Sequence, residues 1–395
     1  MRTLRVLAGW LSGCLIGCGS TAWAAAVDFG TVELGKRSTE RVTITIPYAT
    51  RLGRIVVRTE GVESLDFADT GKGSCRTTRL YSAGGFCTVR VSFSPGYAGP
   101  RYGAVVVADT KGRVMATEYL SGTGVGSQAG IAQEMQRSIT GFKSPDGIAV
   151  DAAGNVYVAD YNASKVYKET PLPSGDYYRT LVAGSFTPVR VVAVDGGGNV
   201  FFDGLSGVAK ETLQPSGRFQ ESAVGGFMGA PGGLAVDAAG NVYVSDSNFG
   251  KLYKHTFLPD GSYTRTLIRD ELHGALGVAV DGSGNVYVAG QVDRKIYKET
   301  LSGESYIESS IDGPFTAPQG VAVDGNGNVY VSDFGTGEVY KETLKDGSYV
   351  QSVVASGMGA GYVAVDRAGS LYVSDVNEGK VMKLPIEGSP IPPAN

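Results

Sequence analysis

GIAVDAAGNVYVADYNASKVYKET, residues 147–170, and LAVDAAGNVYVSDSNFGKLYKHT, residues 234–256, are two copies of one unit. In the first copy, residues 148–150, 156–159 and 165–169 are short apolar or alternating runs, and 177–182 is a fourth. Runs of this length rich in Val and Tyr are strands. Between the first two lies Asp151-Ala152-Ala153-Gly154-Asn155, whose Gly suits the left-handed residue of a hairpin loop. Asp151, Asp195, Asp237, Asp281, Asp324 and Asp366 hold the same position in six copies, spaced by 44, 42, 44, 43 and 42 residues.

A four-stranded unit of this length leaves both faces of its sheet bare, so the copies must stack around an axis as propeller blades. The sixth copy stops before a fourth strand. Residues 136–141 (QRSITG), ahead of the first copy, resemble the fourth-strand stretch 178–184 (YRTLVAG). Pairing that stretch with the sixth copy would fasten the ring and satisfy an open edge. The expectation is an all-β chain with a six-bladed propeller over 134–384, closed by its own N-terminal strand.

Composition agrees. Of 395 residues, 58 are Gly, 42% hydrophobic and 19% charged, which excludes disorder. With 16 Pro and no three-residue Gly period, collagen is excluded too. The net charge is -4 and no run of five like charges occurs, so a nucleic-acid partner is not expected.

Residues 1–24 have a basic start (Arg2, Arg5), an apolar stretch too short to span a bilayer and a small-residue end, Ala22-Trp23-Ala24. That order is a secretory signal. Two processing readings stay open: cleavage after Ala24, or lipidation at Cys18 in Leu15-Ile16-Gly17-Cys18, the sole route to a membrane. Both put the mature chain outside the cytoplasm, in the periplasm, on the cell surface or secreted. Cys75 and Cys87, twelve residues apart in an oxidising compartment, are expected to form a disulfide. A metal site there is not expected, because two thiolates without a nearby His leave a zinc shell incomplete.

Residues 25–125 read as about seven short strands of a β-sandwich, the clearest being 87–93 with Cys87, Val89, Val91 and Phe93 on one face. VDFGTVELGKRSTERVTI, CTVRVSFSPGYAGPRYGAVVV and LSGTG in this region resemble the immunoglobulin-like abnormal-spindle/Hydin family, including bacterial choice-of-anchor modules. The resemblance implies a structural or adhesion-like spacer. A linker (126–133) leads to the array and a Pro-rich tail (385–395) follows it.

The A-V-D-x-x-G-N-V-Y-V-S-D pattern resembles NHL repeats, six-bladed propellers found in receptor-kinase sensors, in RNA-binding regulators and near virginiamycin B lyase. It implies a fold and a binding face, with no chemistry common to the class. Copy two is two residues short between Asn199 and Glu211, and Gly290 in copy four stands where others have Asp160, Asp246, Asp333 and Asp375.

Asp324-Gly325-Asn326-Gly327-Asn328 partly matches the start of a calcium loop, but Val329 and Gly335 occupy the positions that need Gly and Glu, so a hairpin turn is read there. The recurring Asp160, Asp246, Asp333 and Asp375 are read as loop staples. Binding residues are expected where scaffold repeats agree and loop residues differ. Ahead of each G-x-A-V-D stretch the copies carry Asp146, Arg190, Gly232, Leu276, Gln319 and Gly361. The loops between second and third strands add Tyr161, Asn162, Phe249, Asp293, Arg294, Phe334 and Glu378. Such a mixed rim suits a protein or glycan ligand.

No catalytic set is assigned and no cofactor is expected; phosphate-loop, nucleophile-elbow and dinucleotide motifs are missing. The alternative is a lyase or hydrolase acting through His273 and Asp146, as the resemblance to virginiamycin B lyase and lactonase-like propellers implies. His255, where other copies have Glu, is expected to be an exposed outer residue.

Overall fold

The computed structural model describes residues 26–126 and 137–384, apart from 78, 185, 186, 205, 206 and 227. The leader, Cys18, nearly all of the linker and the Pro-rich tail lie outside the described residues.

Residues 26–126 hold nine strands: β1 (Val27–Glu33), β2 (Ser38–Thr45), β3 (Thr50–Thr59), β4 (Val62–Glu63), β5 (Phe67–Asp69), β6 (Leu80–Tyr81), β7 (Phe86–Phe93), β8 (Gly99–Asp109) and β9 (Val114–Val125). One sheet runs β1-β9-β8-β3-β4 with β6 on β3, and the other runs β2-β7-β5. The alternation in β7 points Cys87, Val89, Val91 and Phe93 inward, all at most 2% exposed. Phe67 stacks on Phe93 at 4.6 Å and Phe29 meets Phe67 edge-on at 5.2 Å, filling the space between the sheets. Cys75 and Cys87 are joined by a disulfide.

From β10 (Arg137–Ile139) onward the described chain forms four-stranded antiparallel sheets. Copy one is β11 (Pro145–Val150), β12 (Val156–Asp160), β13 (Lys165–Pro171) and β14 (Tyr177–Gly184). Its strands pair in sequence order, the expected meander. The last copy supplies β31 (Ala360–Val365), β32 (Leu371–Asp375) and β33 (Lys380–Leu384), and its fourth strand is β10, with Arg137 opposite Lys383 and Ile139 opposite Val381. The first strands lie side by side around a centre, and β11 also touches β31. This is the architecture of a β-propeller.

One recurring carboxylate organises the hairpin loop of the copies, and a second, at the end of the second strand, is present in copies one, three, five and six. In the hairpin loop Asp151 accepts the amides of Ala153 and Asn155, the Asn155 side chain at 2.7 Å and the Tyr157 hydroxyl at 3.2 Å. Asp324 is occupied in the same way by Asn326, Asn328 and Tyr330, so the loop amides use the oxygens a cation would need. At the other end Asp333 accepts amides of the following loop (Gly335, Thr336) and of the loop entering the first strand (Thr316, Ala317). Asp246 and Asp375 do likewise, each stapling two loops, whereas Asp160 holds only the entering loop, through Lys143 and Ser144.

His255 is not an outer residue. It is 0% exposed, both ring nitrogens lack a hydrogen-bond partner, and burial, with Arg265 adding to it, lowers its pKa to about 4. The third-strand face it shares with Glu169, Glu299 and Glu342 is covered, and those three are also buried. The Glu side chains have partners, Arg179, Arg269 and Gln351 respectively.

The N-terminal domain is no free spacer. Arg58, 2% exposed, donates to the carbonyls of Gly197, Leu213 and Gln214 in copy two. The Asp66 carboxylate lies 3.6 Å from both Arg101 and Arg367, so one carboxylate ties this domain to copy six. Tyr119 donates to Asp195 at 2.7 Å. Copy two has Phe201 where the others have Tyr, and the Tyr119 hydroxyl fills the vacancy. The Gly196-Gly197-Gly198 run fits the same contact: a Cβ at Gly196 would lie 2.7 Å from the Gly103 nitrogen, and one at Gly198 would lie 2.4 Å from the Gly61 Cα. The domain thus caps the end of the array that carries the hairpin loops.

Candidate functional site

The opposite end is open and gathers the residues at the start of the first strands. Adjacent first strands approach closely there because Gly147 has no side chain: its amide donates to the Arg190 carbonyl at 2.7 Å, and a Cβ would lie 2.6 Å from that oxygen. This spacing brings Asp146, Arg190 and Gln319, from copies one, two and five, into contact. Arg190 Nε lies 3.7 Å from Asp146 Oδ2, and Gln319 Nε2 donates to Asp146 Oδ1 at 3.2 Å. The Arg190 guanidinium also sits 5.3 Å from the centre of the Tyr161 ring, within cation–π range.

Burial pushes the Asp146 carboxyl up to about 7; Arg190 pulls against that rise and Asp203 adds to it. Asp203, itself raised to about 6 by burial, accepts the amides of Arg190 and Val191 and so orients the segment that carries the arginine. Beneath them Tyr362 reaches across the centre to donate to the Gly232 carbonyl. Copies three and six face each other, so this one side chain bridges the ring.

Two of these residues were missed in the sequence reading, although each breaks the repeat. Tyr362 stands where the other copies have Gly or Val, and Asp203 where they have Ala or Ser.

The remaining rim residues are dispersed. Gly232, Leu276 and Gly361 contribute carbonyls to Tyr362, Ser245 and Ser332. Tyr161 and Asn162 lie in one 3-10 turn, and Phe249 and Phe334 are 61% and 45% exposed. Glu378 pairs with Lys380. Arg294 has φ 55° beside Asp293. His273, two-thirds exposed, does not meet Asp146: its Nδ1 is 3.1 Å from Asp293 Oδ2, which also accepts from Tyr297. Among the described residues no group of His, Cys, Asp or Glu is arranged to hold a metal ion.

The family model for the NHL repeat matches residues 315–339, the first two strands of copy five and the start of its third. No curated protein matches the chain. Solved structures share its fold. A gluconolactonase from Xanthomonas campestris is 16% identical with a TM-score of 0.52, covering 66% of this chain and 95% of its own. A Bacteroides thetaiotaomicron protein of unknown function is 17% identical with a TM-score of 0.51, covering 90% of this chain and 96% of its own. Virginiamycin B lyase from Staphylococcus aureus is 14% identical with a TM-score of 0.47, covering 65% and 89%. At these identities the likeness is one of fold.

Proposed function

We propose that this chain is an exported, non-enzymatic binding or scaffold protein. An immunoglobulin-like sandwich over 25–125 caps a six-bladed NHL-type propeller over 134–384, closed by β10. The propeller presents its open face to a protein or glycan partner of the cell envelope or of the space outside the cell. What supports this reading is the convergence of Asp146, Arg190 and Gln319 from three separate copies on the one end that the N-terminal domain leaves free. The copies share no common residue at these positions, as recognition requires. The Cys75–Cys87 disulfide is in keeping with an oxidising compartment.

The test is a crosslinked capture from the native envelope, comparing the full chain with a folded Arg190→Ala, Gln319→Ala, Phe334→Ala variant. A partner held by the first and lost by the second supports the open face. Equal capture by both overturns it.

A second reading rests on one observation, the His273–Asp293–Tyr297 chain, which leaves His273 Nε2 free at the same rim. A carboxylate that orients an imidazole is a proton-transfer arrangement. On this reading the chain is a lyase or hydrolase, and turnover lost in His273→Ala would establish it over the binding role.

A further inference from the structure

The N-terminal domain rests on copies two, five and six, and it also meets copy three, where Tyr119 lies edge-on to Phe257 at 5.4 Å, and copy four, where Pro100 lies against Gly282. Its contacts run through Arg58 to Leu213, through Gly99 against Gly325, and through Arg101 to the Arg367 carbonyl. Beside these contacts, over copies three and four, lies a cleft of about 980 Å³, the upper end of the range for ligand sites.

We propose that this cleft binds a neutral oligosaccharide. One wall is the outer face of the β1-β9-β8 sheet, where the register sets Asp28, Ser121 and Tyr102 side by side in one row. The facing wall, from copies three and four, carries Lys254, Glu304 and Tyr306. Most of these side chains are loosely committed within the protein, although one Asp28 oxygen accepts the Gly30 amide at 2.9 Å. Ser121 reaches Asp28 only at 3.5 Å, the Tyr306 hydroxyl reaches Tyr243 only at 3.5 Å, and Lys254 lies over the Tyr243 ring at 5.4 Å. Glu304 is exposed and has no cationic partner among the described residues.

A sugar ring has hydroxyls around its edge that both donate and accept, and apolar C–H faces. The walls offer the complement: carboxylates that accept, an ammonium that donates, hydroxyls that do both, and two phenol rings for the apolar faces. Charge selects among sugars. Asp28 and Glu304, with Asp237 and Asp281 on the floor, outnumber Lys254, so phosphorylated or sulfated ligands are repelled. The site is at the opposite end of the array from Asp146 and Arg190, and needs both domains to form.

The test is calorimetric titration of the full chain with cellohexaose, maltohexaose and chitohexaose. At least one is expected to bind. Ser121→Trp, which fills the cleft, and Tyr306→Ala are expected to weaken it at least tenfold, and Glu304→Ala, on an exposed turn, to weaken it severalfold without lowering the unfolding midpoint. Lys345→Ala, exposed and outside the cleft, should leave the affinity unchanged. The proposal is overturned if none of the three binds, if the cleft variants bind as the wild type does, or if a sulfated heparin hexasaccharide binds the cleft more tightly than these.

Discussion

His255 sits between layers of sheet with no partner for either nitrogen, so the fold holds it neutral. In the unfolded chain it takes up a proton as the pH falls below 6.5, whereas the folded form does so only near 4. Its contribution to stability is therefore fully present above pH 6.5 and is lost as the pH falls to about 4. The loss is expected to reach up to about 3 kcal/mol. His255→Leu should flatten thermal-unfolding midpoints over that window. Tyr119 gives a second residue-level prediction. Tyr119→Phe removes the hydroxyl that copy two takes from the other domain, at an expected cost of about 1.5–3 kcal/mol in denaturant unfolding. Adding Phe201→Tyr should restore part of it, because other copies satisfy the same carboxylate from that position. At the open face, Asp146 must lose its proton to hold Arg190 as an ion pair. Capture of a partner is expected to rise as the pH is raised through about 7 and to lose that dependence in Asp146→Asn.

At the level of elements, strand existence was legible because Val, Tyr and Ile recur with the repeat, and closure by β10 was legible because 136–141 resembles a fourth strand. Of the strand-end Asp residues, Asp246, Asp333 and Asp375 fix the following loop as their spacing implied and Asp160 does not, while all four reach back to the loop before their own first strand. The environment of the third strands was not legible. A Glu or His at that position reads as solvent-facing by alternation, yet packing covers it, and Arg179 or Arg269 satisfies the buried carboxylates. β10 is only three residues long, so closure rests on few ladder bonds. Ser138→Pro should disrupt its pairing with Met382, because proline has no amide hydrogen to give the ladder. The expected outcome is faster proteolysis at both ends of the array, with the N-terminal domain left intact.

On the scale of the whole molecule, the capping of one end decides which face can work. Buried Arg58, the Asp66–Arg101–Arg367 cluster and the glycine contacts bind the two domains too closely for a flexible spacer. Unfolding is expected to be a single calorimetric transition, and Arg58→Ala combined with Arg101→Ala should split it into two. A wild type that already unfolds in two steps would show that the domains are energetically independent.

The sequence by itself determined the strand pattern, the repeat, the ring-closing segment and the disulfide, because each depends on local periodicity or on composition. It also marked Asp146, Arg190 and Gln319 as positions where the copies diverge. Only the tertiary structure decided that these three meet, that Tyr362 spans the centre and that His273 pairs with Asp293. It alone decided that the glycine run of copy two and Phe201 are the imprint of a docked domain. Those contacts join residues from 20 to 173 positions apart, and their chemistry depends on which surfaces the closed ring buries.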